Sequence, residues 1–89
     1  MTLATTFHLR VLTPDQTLVD GQATAVVVPG MEGEFTVLPG HMALISALKA
    51  GQIKVHVEGM HEQLFNVSGG FADVGNTHCT ILAEGLIAA

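Results

Sequence analysis

Apolar and polar residues alternate with a period of two along several short stretches of this chain. Phe7, Leu9 and Val11 fall on one side of such a repeat, and His8 and Arg10 on the other. Ile53, Val55 and Val57 repeat the pattern against Lys54, His56 and Glu58. Successive side chains of an extended strand point to opposite faces, so each run presents one apolar and one polar face. A helix would spread the same residues around its circumference. Glycines at 21, 30, 33, 40, 51, 59, 69, 70, 75 and 85 keep the runs short. Turn residues at intervals of roughly 8–12 positions predict an all-β sandwich or barrel. Gly59-Met60-His61-Glu62 reads as a hairpin loop into a strand from Gln63 to Val67, and Gly75-Asn76-Thr77 as a tight connection before one from His78 to Ala83. Met42 to Lys49 fits either a strand or one helical turn. The expected fold is a small antiparallel β-sandwich, or flattened barrel, in one domain spanning residues 1–89.

Composition narrows the functional classes. Eighty-nine residues make a single domain. Charged residues are 12% of the chain, against roughly 25% in soluble domains, and the mean hydropathy is +0.49. Part of the surface is therefore apolar or neutral, as in a domain with a permanent partner. The net charge is −5, with Arg10, Lys49 and Lys54 the only bases. Phosphate backbones need clustered Lys and Arg, so nucleic-acid binding is excluded. No apolar run approaches the ~20 residues of a membrane-spanning helix, and the densest, Ala25 to Val28, stops at Pro29. The opening residues Met1 to Thr6 lack the basic start and apolar core of a signal peptide. The single cysteine, Cys79, forms no internal disulfide and suits a reducing compartment. A cytosolic, bacterial-type protein is the expectation.

Candidate chemistry is sparse. Zinc needs three or four converging ligands, and the five histidines are scattered, with His56 and His61 the closest pair. No metal or cofactor is expected. Cys79 and His78 are adjacent on a strand and point to opposite faces, so they make no thiolate dyad; parity puts Cys79 with Ile81 in the core. Val67-Ser68-Gly69-Gly70 superficially matches a nucleophile elbow, but Asn66 replaces its first glycine and no helix is expected to follow. Gly69 and Gly70 read instead as residues permitting positive φ or a bulge before Phe71. Glu32 and Glu34 flank Gly33 on an exposed loop, where two carboxylates ionise and can orient a basic partner surface. A swinging-arm carrier such as a lipoyl domain is the alternative class, with Lys49 in Leu48-Lys49-Ala50 as its candidate attachment point.

Several motifs, in their order, carry a more specific reading. They are Phe7-His8-Leu9-Arg10-Val11, Thr13-Pro14, Val28-Pro29-Gly30, Glu32-Gly33-Glu34-Phe35, Leu38-Pro39-Gly40-His41, Leu48-Lys49-Ala50-Gly51-Gln52-Ile53, Ser68-Gly69-Gly70-Phe71-Ala72-Asp73-Val74 and Thr80-Ile81-Leu82-Ala83-Glu84. Together they resemble the N-terminal β-sandwich of the epsilon subunit of F-type ATP synthases. The resemblance implies a non-catalytic rotor subunit that packs on the gamma subunit, rests on the membrane-embedded c-ring and helps couple ion flow to ATP synthesis. It implies a peripheral position on the cytoplasmic face of the bacterial inner membrane. Carried over by position, Glu32, Glu34 and Phe35 match the loop that meets the c-ring. His41 matches the position next to gamma, with Thr13, Ser46 and Ser68 at or near that surface. The family usually reads Ala-Pro-Leu after this histidine, where the present chain has Met42-Ala43-Leu44. The family also commonly continues into a C-terminal helical hairpin, whereas this sequence closes on Gly85-Leu86-Ile87-Ala88-Ala89, so a short form without the hairpin is expected.

Overall fold

A computed structural model describes residues 5–87. Residues 1–4, most of the segment read for a signal peptide, and residues 88–89 lie outside the described residues. Nine strands form: β1 (Phe7–Leu12), β2 (Thr17–Ala23), β3 (Ala25–Gly30), β4 (Gly33–Val37), β5 (Leu44–Leu48), β6 (Gly51–His56), β7 (Gln63–Val67), β8 (Gly70–Val74) and β9 (His78–Ala83). The described residues contain no helix.

The alternation read from the sequence becomes the division between core and surface. Phe7, Leu9 and Val11 are buried while His8 and Arg10 are exposed. Ile53 and Val55 are buried on β6, and Cys79, Ile81 and Ala83 on β9. The ambiguous stretch Met42 to Lys49 resolves as β5. Its backbone pairs with β8 from Leu44 opposite Val74 to Leu48 opposite Gly70, a ladder that one helical turn could not supply.

Strands β2-β1-β9-β8-β5 form one layer and β4-β3-β6-β7 the other. The layers join where Gly30 of β3 pairs with Leu48 of β5. β5 and β6 are two halves of one bent strand, since both run antiparallel to β3. β7 and β8 form a second. Their common partner is β9 with the segment after it: Ala83 opposes Gly70 and Leu86 opposes Val67, in unbroken register across the bend. The Ser68 N–H donates to the Gly85 carbonyl and the Ile87 N–H to that of Asn66. Strands that switch layers in this way need a local bend.

Gly69 and Gly70 provide one. Their φ values are +143° and +148°, in a region L side chains rarely adopt, and a Cβ on Gly70 would lie 2.1 Å from the Leu82 carbonyl oxygen. This is the role anticipated for the pair. The bends define a corner end of the sandwich, shared by the β1–β2 turn and the Met31-Glu32 turn. The open end carries the 38–43 loop, the 57–62 loop and the 75–77 turn.

The all-β sandwich is as expected, but the pairing is not antiparallel throughout. β1 and β9 run parallel, with His8 opposite His78 and Leu12 opposite Leu82. A period-two pattern gives a strand's faces and says nothing of a neighbour's direction, so this pairing could not be read locally.

Candidate functional site

The described residues assemble no group of His, Cys, Asp and Glu able to hold a metal ion. Cys79 is fully buried while His78 is exposed, so the two share no site. Burial, with a smaller contribution from the Asp73 charge, pushes the Cys79 thiol up to about 12, and it stays protonated. Ser68 is exposed at the bend and is followed by strand β8, not by a helix. Lys49 sits in the bend between β5 and β6, its backbone N–H donating to the Pro29 carbonyl. A carrier lysine needs a free hairpin tip, which this is not.

What the chain offers instead is surface, divided by its ends. Asp15, Glu32, Glu34 and Glu84 gather at the corner end with Lys49, whereas all five histidines stand at or next to the open end, with Glu58 and Glu62. Histidines there lie against carboxylates: His8 against Asp20, His56 against Glu62 at 3.0 Å, and His78 against Asp73 at 3.8 Å. The hydrogen bond from His8 is the main cause that lowers the Asp20 carboxyl below its ordinary value; desolvation opposes it, and the charges of His8 and Arg10 add lesser contributions in the lowering direction.

Glu32 occupies the two-residue β3–β4 turn and is exposed; Glu34 is exposed on β4, opposite Pro29. Phe35 turns the other way. It pairs with Val28, is half-buried and packs against the core. A Cβ on Gly30 would come within 2.9 Å of its ring, so a glycine there makes room for Phe35. The structure brings Phe35 together with His41, their ring centroids 6.5 Å apart. His41 Nδ1 lies 2.8 Å from the Met42 carbonyl oxygen. Thr13 closes the β1–β2 turn through its N–H to the Gln16 carbonyl. Ser46 is half-buried on β5, its hydroxyl donating to the Ala47 carbonyl at 3.1 Å. Thr13 and Ser68 thus stand at the corner end with Glu32, and His41 stands at the open end with Ser46 between.

One surface feature escaped the sequence reading. Leu12, Leu82, Phe71 and Ala47 lie side by side across four strands, on the outer face of the β2-β1-β9-β8-β5 layer. Phe71 is 58% exposed and Leu82 53%, and Ile45, in the next row, is 75% exposed. Parity could have found this row: Phe71 alternates with the buried Ala72, and Leu82 with the buried Ile81.

A family model described as the ATP synthase Delta/Epsilon chain, beta-sandwich domain matches residues 6–89. The chain belongs to this family. The ATP synthase epsilon chain of Nitratidesulfovibrio vulgaris (strain DP4) is 44% identical over 77 residues, covering 86% of this chain and 57% of that one. The epsilon chain of Chlorobium limicola is 33% identical over 78 residues, covering 88% of this chain and 89% of that one. A chain of the Euglena gracilis mitochondrial ATP synthase, solved as OSCP, F1 and c-ring, superposes with a TM-score of 0.88 at 25% identity. That match covers 98% of this chain and 56% of the other. The present chain therefore spans little more than half the length of the first and third. Epsilon chains are structural and regulatory subunits of the synthase and not its catalytic ones.

Proposed function

We propose that this chain serves as a central-stalk subunit of an F-type ATP synthase, joining the gamma subunit to the c-ring so that ion flow is coupled to ATP synthesis. The family match over residues 6–89 carries the reading. The surface is consistent with it in kind. Glu32 and Glu34 project from the corner end, where exposed carboxylates can orient a basic ring surface. His41 faces gamma from the open end, with Ser46 beside it on β5. The outer row containing Phe71 and Leu82 supplies apolar area of the sort a permanent partner covers. Thr13 and Ser68 stand near the corner end of that same layer and complete its edge. The subunit catalyses nothing, needs no cofactor, and is held peripherally at the cytoplasmic face of the bacterial inner membrane by its partners.

Affinity purification of the tagged chain from mild-detergent extracts of its native cells tests this. The expected result is co-recovery of gamma, the c-ring and the catalytic hexamer, with gamma and this chain in equal numbers. Recovery of the chain alone, or with an acyltransferase complex and a modified Lys49, would overturn the stalk reading.

A further inference from the structure

The histidines of the open end are not equivalent. His8, His56 and His78 each lie against a carboxylate. Among the described residues His41 has no such ion pair, and its surroundings differ in kind. From β4 comes the Phe35 ring. From the β8–β9 turn comes the Asn76 carbonyl, which anchors the loop by accepting the Gly40 N–H. From its own loop come the Met42 carbonyl and two exposed apolar side chains, Leu38 at 53% and Met42 at 80%. The charged groups of these elements are engaged or turned elsewhere. Glu34 and Phe35 are consecutive on β4 and project to opposite faces, Asp73 lies against His78, and β5 carries no charged residue.

The hydrogen bond to Met42 decides the tautomer. A carbonyl oxygen only accepts, so Nδ1 must carry hydrogen. The neutral ring then holds its lone pair on Nε2, as an acceptor. We propose that His41 Nε2 accepts a hydrogen bond from an uncharged hydroxyl or amide donor of the gamma subunit, inside an otherwise apolar contact made by Leu38 and Met42, and that protonation of Nε2 releases it. This rests on the stalk reading above. Proton uptake removes the acceptor and leaves a cation in a desolvated patch with no anion beside it, which opposes burial. Imidazole changes charge between about pH 5 and 8. Attachment through this loop is therefore tight at neutral pH and loosens as the compartment acidifies.

Two measurements test the proposal separately from the reading beneath it. In the free chain, ring nitrogen-15 shifts near pH 8 are expected to show His41 as the Nδ1–H tautomer. A dominant Nε2–H tautomer overturns the proposal whatever the partner does. Binding to isolated gamma subunit is then followed from about pH 7.5 to about pH 5.5. Wild type is expected to weaken by up to about tenfold. His41→Gln, which keeps a neutral acceptor at the position of Nε2, is expected to lose most of that dependence, and His61→Gln to retain it. Binding that is flat in pH, or a pH slope unchanged in His41→Gln, sinks the proposal and leaves the stalk reading intact. Absence of gamma binding at any pH sinks both.

Discussion

Cys79 shows how far one residue's position settles its chemistry. Odd-numbered residues of β9 face inward, so the only cysteine of the chain lies among Leu9, Val74 and Ile81 and not on the solvent face of His78. The thiol rises from 9.0 to about 12. The unfolded chain loses that proton as pH passes about 9, and the folded chain keeps it to about 12. The unfolded state then binds fewer protons, so stability falls as pH rises through this window. Urea unfolding from about pH 8 to about pH 10.5 is expected to show a steeper loss for wild type than for Cys79→Ala; equal slopes would contradict the assignment. That burial was legible in the sequence, because parity with Ile81 needs no knowledge of the partner strands. The inward turn of Phe35 was not. It depends on the pairing of β4 with β3 and on the space left by Gly30, both contacts beyond the local pattern.

At the scale of elements, the molecule depends on strands that bend without breaking. β7 and β8 share one partner in unbroken register, and Gly69 and Gly70, both at positive φ, sit at the change of direction. Gly70→Ala combines a disfavoured φ with a Cβ 2.1 Å from a backbone carbonyl oxygen. It is expected to destabilise the domain by about 2–4 kcal/mol, read as a lower urea midpoint at unchanged slope. Gly85→Ala is the control: its Cβ would meet only the Ser68 hydroxyl, at 3.8 Å. The strands themselves were readable because Phe7-Leu9-Val11 and Ile53-Val55 alternate cleanly. The bends were readable only as glycines. That β5 and β6 are one strand crossing between layers follows from their shared partner β3, and pairing over such separations leaves no trace in a local pattern.

For the molecule as a whole, the two ends differ in charge, and that difference bears on how it works. Among the described residues, the corner end carries Asp15, Glu32, Glu34 and Glu84 with Lys49 as its one base. Glu34→Lys reverses one of these charges at a site that packs against nothing in the core. The expected outcome is a stability within about 0.5 kcal/mol of wild type, with ATP-driven pumping in the reassembled enzyme reduced about twofold or more. Unchanged pumping would remove Glu34 from the ring contact. The parallel pairing of β1 with β9 bears on how the molecule is made. Among the described residues β1 pairs with β9 on one side and with β2 on the other, and with no further strand. During synthesis β1 and β2 leave the ribosome as a hairpin whose inner edge, along β1, has no hydrogen-bonded partner until residues 78–83 emerge. Pairing of β1 therefore waits for β9, and the unpaired edge of the nascent hairpin is open to capture by a chaperone or by another unfinished chain.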